Sequence, residues 1–143
     1  ITIYGDYGSD FSGKVRLLKL VHLKSSTKLD IMKILICGLP GSGKTWLAER
    51  LVQNISNCAW YNADIVRSAS NDWDFTKEGR SRQAMRMKTF ADFEKSNGRY
   101  VICDFVAPTK AARDSFEADY LIWLDTIKEG RVVNNKKIRI REL

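Results

Sequence analysis

Histidine is almost missing from this sequence: His22 is the only one in 143 residues. That scarcity argues against a zinc site and against acid–base chemistry carried by imidazole. Cysteine is sparse as well. Cys37, Cys58 and Cys103 make no C-x-x-C pair and fall in or at the start of apolar runs, so they read as reduced core thiols. No apolar stretch reaches the length that crosses a bilayer. The run Leu17 to Leu23 is short, is broken by Lys19 and His22, and has no small-residue cleavage site after it, so residues 1–31 do not resemble a signal peptide. A cytoplasmic protein with no membrane partner is the expectation. A basic body is also lacking, despite a net charge of +7. Residues 1–31 carry five Lys/Arg against three Asp/Glu, and residues 126–143 carry six against two. The segment between carries thirteen against twelve. The basic excess thus reads as two solvated ends, which argues against a nucleic-acid partner for the body.

At 44% hydrophobic, the chain can bury one domain's core. Residues 1–13 show no period, 14–23 suit one strand or a short helix, and 24–30 read as a linker. From Lys33 the pattern alternates. Strands are expected at 33–37, 58–61, 99–103 and 120–124. Helices are expected from the residues after 45 to about Asn54, briefly after Asp64, over about 78–96, and from Pro108 to about Phe116. Asn97-Gly98 closes the long helix. The last stretch, 132–143, has an alternating tail that suits an edge strand. Such alternation predicts an α/β fold in three layers, a mostly parallel sheet with helices on both faces, and the glycine loop G-x-x-x-x-G-K-T at 38–45 within it makes that fold of the P-loop NTPase type. Function then belongs at the carboxyl ends of the strands, where Asp64, Asp104 and Asp125 fall. Met32 reads as a natural start, dividing the chain into an N-terminal extension at 1–31, not necessarily native, and a P-loop kinase domain at 32–143.

One stretch carries a specific chemistry. Gly38, Leu39, Pro40, Gly41, Ser42, Gly43, Lys44 and Thr45 fit G-x-x-x-x-G-K-[ST] at every fixed position, between an apolar strand and a helical run. The glycines let the backbone turn its N–H groups onto an anion, and the helix start adds partial positive charge there. Lys44 is expected to reach the β- and γ-phosphates of ATP, and the Thr45 hydroxyl to ligate Mg²⁺. Phosphoryl transfer further needs a held acceptor, a carboxylate near its hydroxyl, and cations over the moving charge. Asp64 suits the carboxylate or a water-mediated hold on the metal; the competing role is a helix cap. Arg67, three residues on, suits an anion clamp. Asp104, ending a strand, looks like a second metal carboxylate; a loop cap is the alternative. Arg80, Arg82 and Arg86 line the first turns of the long helix, and at least one reads as merely solvated.

From about Met32 to Thr126 these motifs resemble the adenylyl-sulfate kinase family, which phosphorylates the ribose 3′-hydroxyl of adenosine 5′-phosphosulfate with ATP and magnesium. GLPGSGKT followed by Leu47-Ala48 matches the family's opening. Its D-G-D-x-x-R stands here as Asn62-Ala63-Asp64-Ile65-Val66-Arg67, keeping the second aspartate and the arginine. Asp74-Phe75-Thr76-Lys77-Glu78-Gly79-Arg80 echoes G-F-S-x-x-D-R, with Gln83 in place of a following asparagine and Arg86 matching an arginine. Phe90-Ala91-Asp92-Phe93 with Gly98 resembles L-F-A-D-A-G. Asp104-Phe105-Val106-Ala107-Pro108 with Arg113 resembles S-F-I-S-P-x-x-x-x-R. The resemblance implies catalysis by Lys44 and Asp64, and substrate contacts from Arg67, Phe75, Arg80, Gln83 and Phe105. Within these, Phe75 meets the adenine and Arg80 the phosphosulfate. Metal contacts are expected from Thr45, Asp64 and Asp104. The motif's second serine, the site of a phosphorylated intermediate in some members, is Ala107 here, which leaves direct transfer.

The likeness fades after Asp125-Thr126. The family's lid, R-D-x-K-G-L-Y, is echoed only by Lys128, Gly130 and Arg131, so an incomplete lid is expected, with weaker adenine contacts and less exclusion of water. Two other readings stay open. A polynucleotide 5′-hydroxyl kinase also follows its loop with an aspartate and an arginine. A lidless domain that binds nucleotide without turnover would serve as an interaction module. A homodimer is compatible with the sequence.

Overall fold

The structure, a computed structural model, describes residues 21–22, 31–127, 132–133 and 136–137. The expectations for residues 1–13, for the linker at 24–30 and for the lid remnant at 128–131 lie outside the described residues. In chain order the elements are β1 (Val21–His22), β2 (Lys33–Gly38), α1 (Lys44–Asn54), β3 (Cys58–Asn62), α2 (Ala63–Ala69) and α3 (Lys77–Ser96). Then come β4 (Tyr100–Asp104), α4 (Lys110–Phe116), β5 (Tyr120–Leu124), β6 (Val132–Val133) and β7 (Lys136–Lys137). The main sheet has the order β1-β5-β2-β4-β3. β2 through β5 are mutually parallel, and β1 lies antiparallel against β5 through Val21 and His22. β6 and β7 pair with each other, apart from the main sheet, so the described part of the tail is a hairpin rather than an edge strand.

Residue alternation along the strands assigns the layers. Leu35 and Cys37 of β2, with Val101 and Cys103 of β4, face Met87 and Ala91 of α3 and Phe116 of α4. Ile34 and Ile36, with Ile102 and Ile122, face Leu47 and Ala48 of α1. A period of two on a central strand therefore fills two cores, one on each face, which is why β2 reads as an unbroken apolar run. Leu35, Ile36 and Met87 are fully buried, and burying each such side chain stabilises the fold by roughly 1.5–3 kcal/mol.

Element boundaries follow their caps. Asn62 caps α2, and Thr76 caps α3 by accepting from Gly79 N. The fourth helix starts at Lys110 rather than Pro108, because the Thr109 hydroxyl accepts from Ala112 N and so fixes the first turn two residues later. Because β2 to β5 run parallel, their carboxyl ends, Gly38, Asn62, Asp104 and Leu124, stand at one edge. Asn62 is paired with Asp104, and Gly38 with Leu124.

Candidate functional site

The loop from Gly38 to Thr45 begins at that edge. Gly38 admits no side chain: a Cβ there would stand 2.5 Å from Ser42 Oγ and 2.8 Å from the Leu124 carbonyl oxygen. Gly43 takes φ 100°, in the left-handed region, and caps α1 with no side-chain bond. The first turn of α1 holds no acidic residue, so its free N–H groups face the loop uncompensated. Ser42 N donates to Leu39 O, and the Thr126 hydroxyl donates to Ser42 O at 2.6 Å, pinning the loop to the segment after β5.

Lys44 folds back across the loop. Its Nζ donates to the carbonyl oxygens of Gly38 and Leu39, each at 3.0 Å. Burial pulls its ammonium below the ordinary lysine range, against the opposing fields of Asp104 and Asp64. Thr45 Oγ1 donates to Asp104 Oδ2 at 3.3 Å. Asp104 is almost fully buried, which raises its carboxyl above the usual range. Three donors and the Lys44 charge oppose that shift: Trp60 Nε1 at 3.1 Å on Oδ1, with Asn62 Nδ2 at 3.0 Å and the Thr45 hydroxyl on Oδ2.

These groups fit a nucleotide phosphate with magnesium. Among the described residues Ser42 Oγ is buried without a hydrogen-bond partner, the lysine bonds to loop carbonyls, and the helix start is open. Among the described residues no cluster of three or more His, Cys, Asp or Glu could hold a metal alone. A hydroxyl and one carboxylate, completed by phosphate oxygens and water, is instead the hard-oxygen arrangement that magnesium takes.

The acceptor candidates do not all meet. Asp64 is exposed in the first turn of α2, and its charge reaches both Lys44 and Arg67. Arg67 is buried rather than solvent-facing: Nη1 donates to the carbonyl oxygens of Asp72 at 2.9 Å and Asp74 at 3.2 Å. Its guanidinium lies 4.5 Å from the Phe75 ring centroid. Burial lowers the Arg67 pKa, and Asp72 and Asp64 resist that shift. Arg82 and Arg86 are spoken for by Asp72, at 2.7 Å and 2.9 Å. Arg80 is exposed at the start of α3, and its charge acts on Arg67. Gln83 is buried, donating to Ala63 O and accepting from Arg86, so it ties α3 to α2. Phe105 is also buried, its ring packed edge-on against Phe116 in the core. Asn62, Trp60 and Thr126 were not singled out by sequence reasoning. Asn62 had a signal, since it opens the Asp64–Arg67 motif, but Trp60 and Thr126 join the site through register alone.

A family model described as adenylylsulphate kinase matches residues 30–121, well over half of the chain. The curated protein named probable adenylyl-sulfate kinase from Aeropyrum pernix is 36% identical over 55% of this chain. The match covers 46% of that relative, so the chain spans about half of its length. The crystal structure of APE1195 is 35% identical, with a TM-score of 0.56 over 62% of this chain and 54% of its own. The Mycobacterium tuberculosis APS kinase solved with AMPPNP and APS is 22% identical, with a TM-score of 0.54 over the same shares, and shows the likeness of fold. No described helix is long and apolar enough to cross a membrane.

Proposed function

The chain belongs to the adenylylsulphate kinase family, and from that premise we propose that it transfers the γ-phosphoryl group of ATP to the ribose 3′-hydroxyl of adenosine 5′-phosphosulfate. The observation that carries the reading is the hydrogen-bonded join of Thr45, Asn62 and Asp104. It fastens the phosphate loop to the start of the helix that bears Asp64 and Arg67, so donor and acceptor segments share one edge of the sheet.

In this reading the loop N–H groups and the start of α1 hold the β- and γ-phosphates, and Lys44 exchanges two loop carbonyls for phosphate oxygens. Thr45, with Asp104 close by, would hold magnesium, which would supply positive charge against the phosphates. Asp64 receives the acceptor hydroxyl. The 3′-oxygen bonds to the γ-phosphorus, the bond from that phosphorus to the bridging oxygen breaks, and ADP departs with the electron pair. The hydroxyl proton passes to the Asp64 carboxylate. Ala107 offers no hydroxyl, so transfer is direct. Arg67 backs one face of Phe75 and leaves the ring to meet a purine, while exposed Arg80 meets the anionic group.

Release of ADP by the 143-residue chain, with adenosine 5′-phosphosulfate compared against a 5′-hydroxyl oligonucleotide, tests this assignment. Arg80→Ala is expected to raise KM for the phosphosulfate far more than KM for ATP, and Asp64→Asn to lower mainly kcat. End-labelling of the oligonucleotide with no response to the phosphosulfate would overturn it.

A further inference from the structure

Asn62 closes β3, opens α2, and uses both ends of its side chain. Oδ1 accepts from Asp64 N at 3.0 Å and Ile65 N at 3.1 Å, completing the first turn of α2. Nδ2 donates to Asp104 Oδ2 at 3.0 Å and to Thr45 Oγ1 at 3.2 Å. The cap needs only the oxygen, and serine or aspartate would supply one. The amide does something else. It reaches a hydroxyl on α1 and a carboxylate on β4, both outside its own element. A carboxylate of the same shape would set two acids in contact there, which needs a cation or a shared proton between them to be favourable. A neutral amide holds the same atoms together without one.

We propose that Asn62 is a positioning residue. It keeps the phosphate-loop hydroxyl and the β4 carboxylate in fixed register with the helix that bears Asp64, and its neutral amide makes that register independent of a bound divalent cation. The inference rests on the reading of the loop as a nucleotide site. Its own content is the division of labour inside one side chain: the oxygen builds the helix, and the nitrogen sets the site.

Calorimetric titration of the full chain with AMPPNP, once with Mg²⁺ and once with EDTA, tests it on the parent, Asn62→Asp and Asn62→Ser, with thermal midpoints alongside. Failure of the parent chain to bind in Mg²⁺ would remove the loop reading itself, before Asn62 is reached. Both variants keep a capping oxygen, so their midpoints should stay near the parent's in Mg²⁺. Asn62→Asp should lose affinity in EDTA and recover it in Mg²⁺, widening the ratio of the two affinities by roughly tenfold over the parent's. Asn62→Ser, too short to reach Thr45 and Asp104, should lose roughly fivefold in both conditions. If a parent that binds nucleotide is matched by Asn62→Ser in both conditions and by Asn62→Asp in its ratio, Asn62 is only a cap and the proposal fails. Should Asn62→Asp prove unstable, the Asn62→Ser affinities decide the matter by themselves.

Discussion

The phosphate loop and the loop at 70–76, which joins α2 to α3, are built differently: one is shaped by its own backbone and the other by side chains from two helices. In the first, glycine torsions, the Ser42 N to Leu39 O turn and the tight approach of Gly38 to Leu124 fix the path. Its lysine bonds to two carbonyls of a path that the glycines and Leu124 already set. In the second, Arg67 from α2 grips the carbonyls of Asp72 and Asp74, while Arg82 and Arg86 from α3 converge on the Asp72 carboxylate. Under the proposed reading, function and stability are expected to separate in the phosphate loop and to be entangled in the loop at 70–76.

The sharpest test is Lys44→Ala. Affinity for Mg-ATP should fall by about 1.5–3 kcal/mol, the worth of one charge-assisted phosphate contact, with the thermal midpoint nearly unmoved. Calorimetric titration and a melting curve on one sample read both quantities. A collapse of the fold would break the comparison at its first term.

Arg67→Ala should behave the opposite way. It strips two partly buried carbonyls of their Arg67 donor and removes the cation over Phe75, so unfolding free energy should drop by roughly 2 kcal/mol. Affinity for Mg-ATP alone should hold. Urea denaturation measures the first effect, and an unchanged midpoint would show that the 70–76 loop is supported from elsewhere.

The smallest expected effect is one of sign with pH. Arg82, then Arg86, hold the Asp72 carboxyl well below the usual range. A depressed folded-state pKa gives stability that is present above about pH 4 and lost as pH falls through the folded value. Asp104 runs the other way: burial raises its pKa, so the folded state takes up its proton first, and stability from this group grows as pH falls. In melting curves collected from pH 6 downward, Asp72→Asn should therefore flatten the acid loss and Asp104→Asn should steepen it. Matching slopes in the two variants would erase the contrast.

The same division explains what could be read from sequence. The sheet was legible because β2, β4 and β5 are largely apolar runs that give way to a glycine or an aspartate at Gly38, Asp104 and Asp125, and α3 because Met87, Ala91 and Glu94 recur at helical spacing. The phosphate loop was legible because eight consecutive residues carry it. Arg67 was found as a motif residue, but its burial was not foreseen, since spacing from Asp64 says nothing about a loop folding over it. Phe105 and Gln83 entered through resemblance, and both turn inward: Phe105 follows β4 and packs on Phe116, while Gln83 faces α2 from α3 and bonds to Ala63 O. Asn62 and Trp60 reach Asp104 only because β3 lies beside β4 in one particular register.

The Trp60 indole gives the molecule a use unrelated to its chemistry. Its N–H rests on the Asp104 carboxylate at 3.1 Å, and an indole's emission shifts with any charge that arrives or departs at its edge. The chain therefore carries an optical gauge at the foot of its phosphate loop. Trp60 is joined to that carboxylate, so keeping it while replacing the other three tryptophans, Trp46, Trp73 and Trp123, with phenylalanine would yield a spectrum in which filling of the loop is watched directly, with no dye attached.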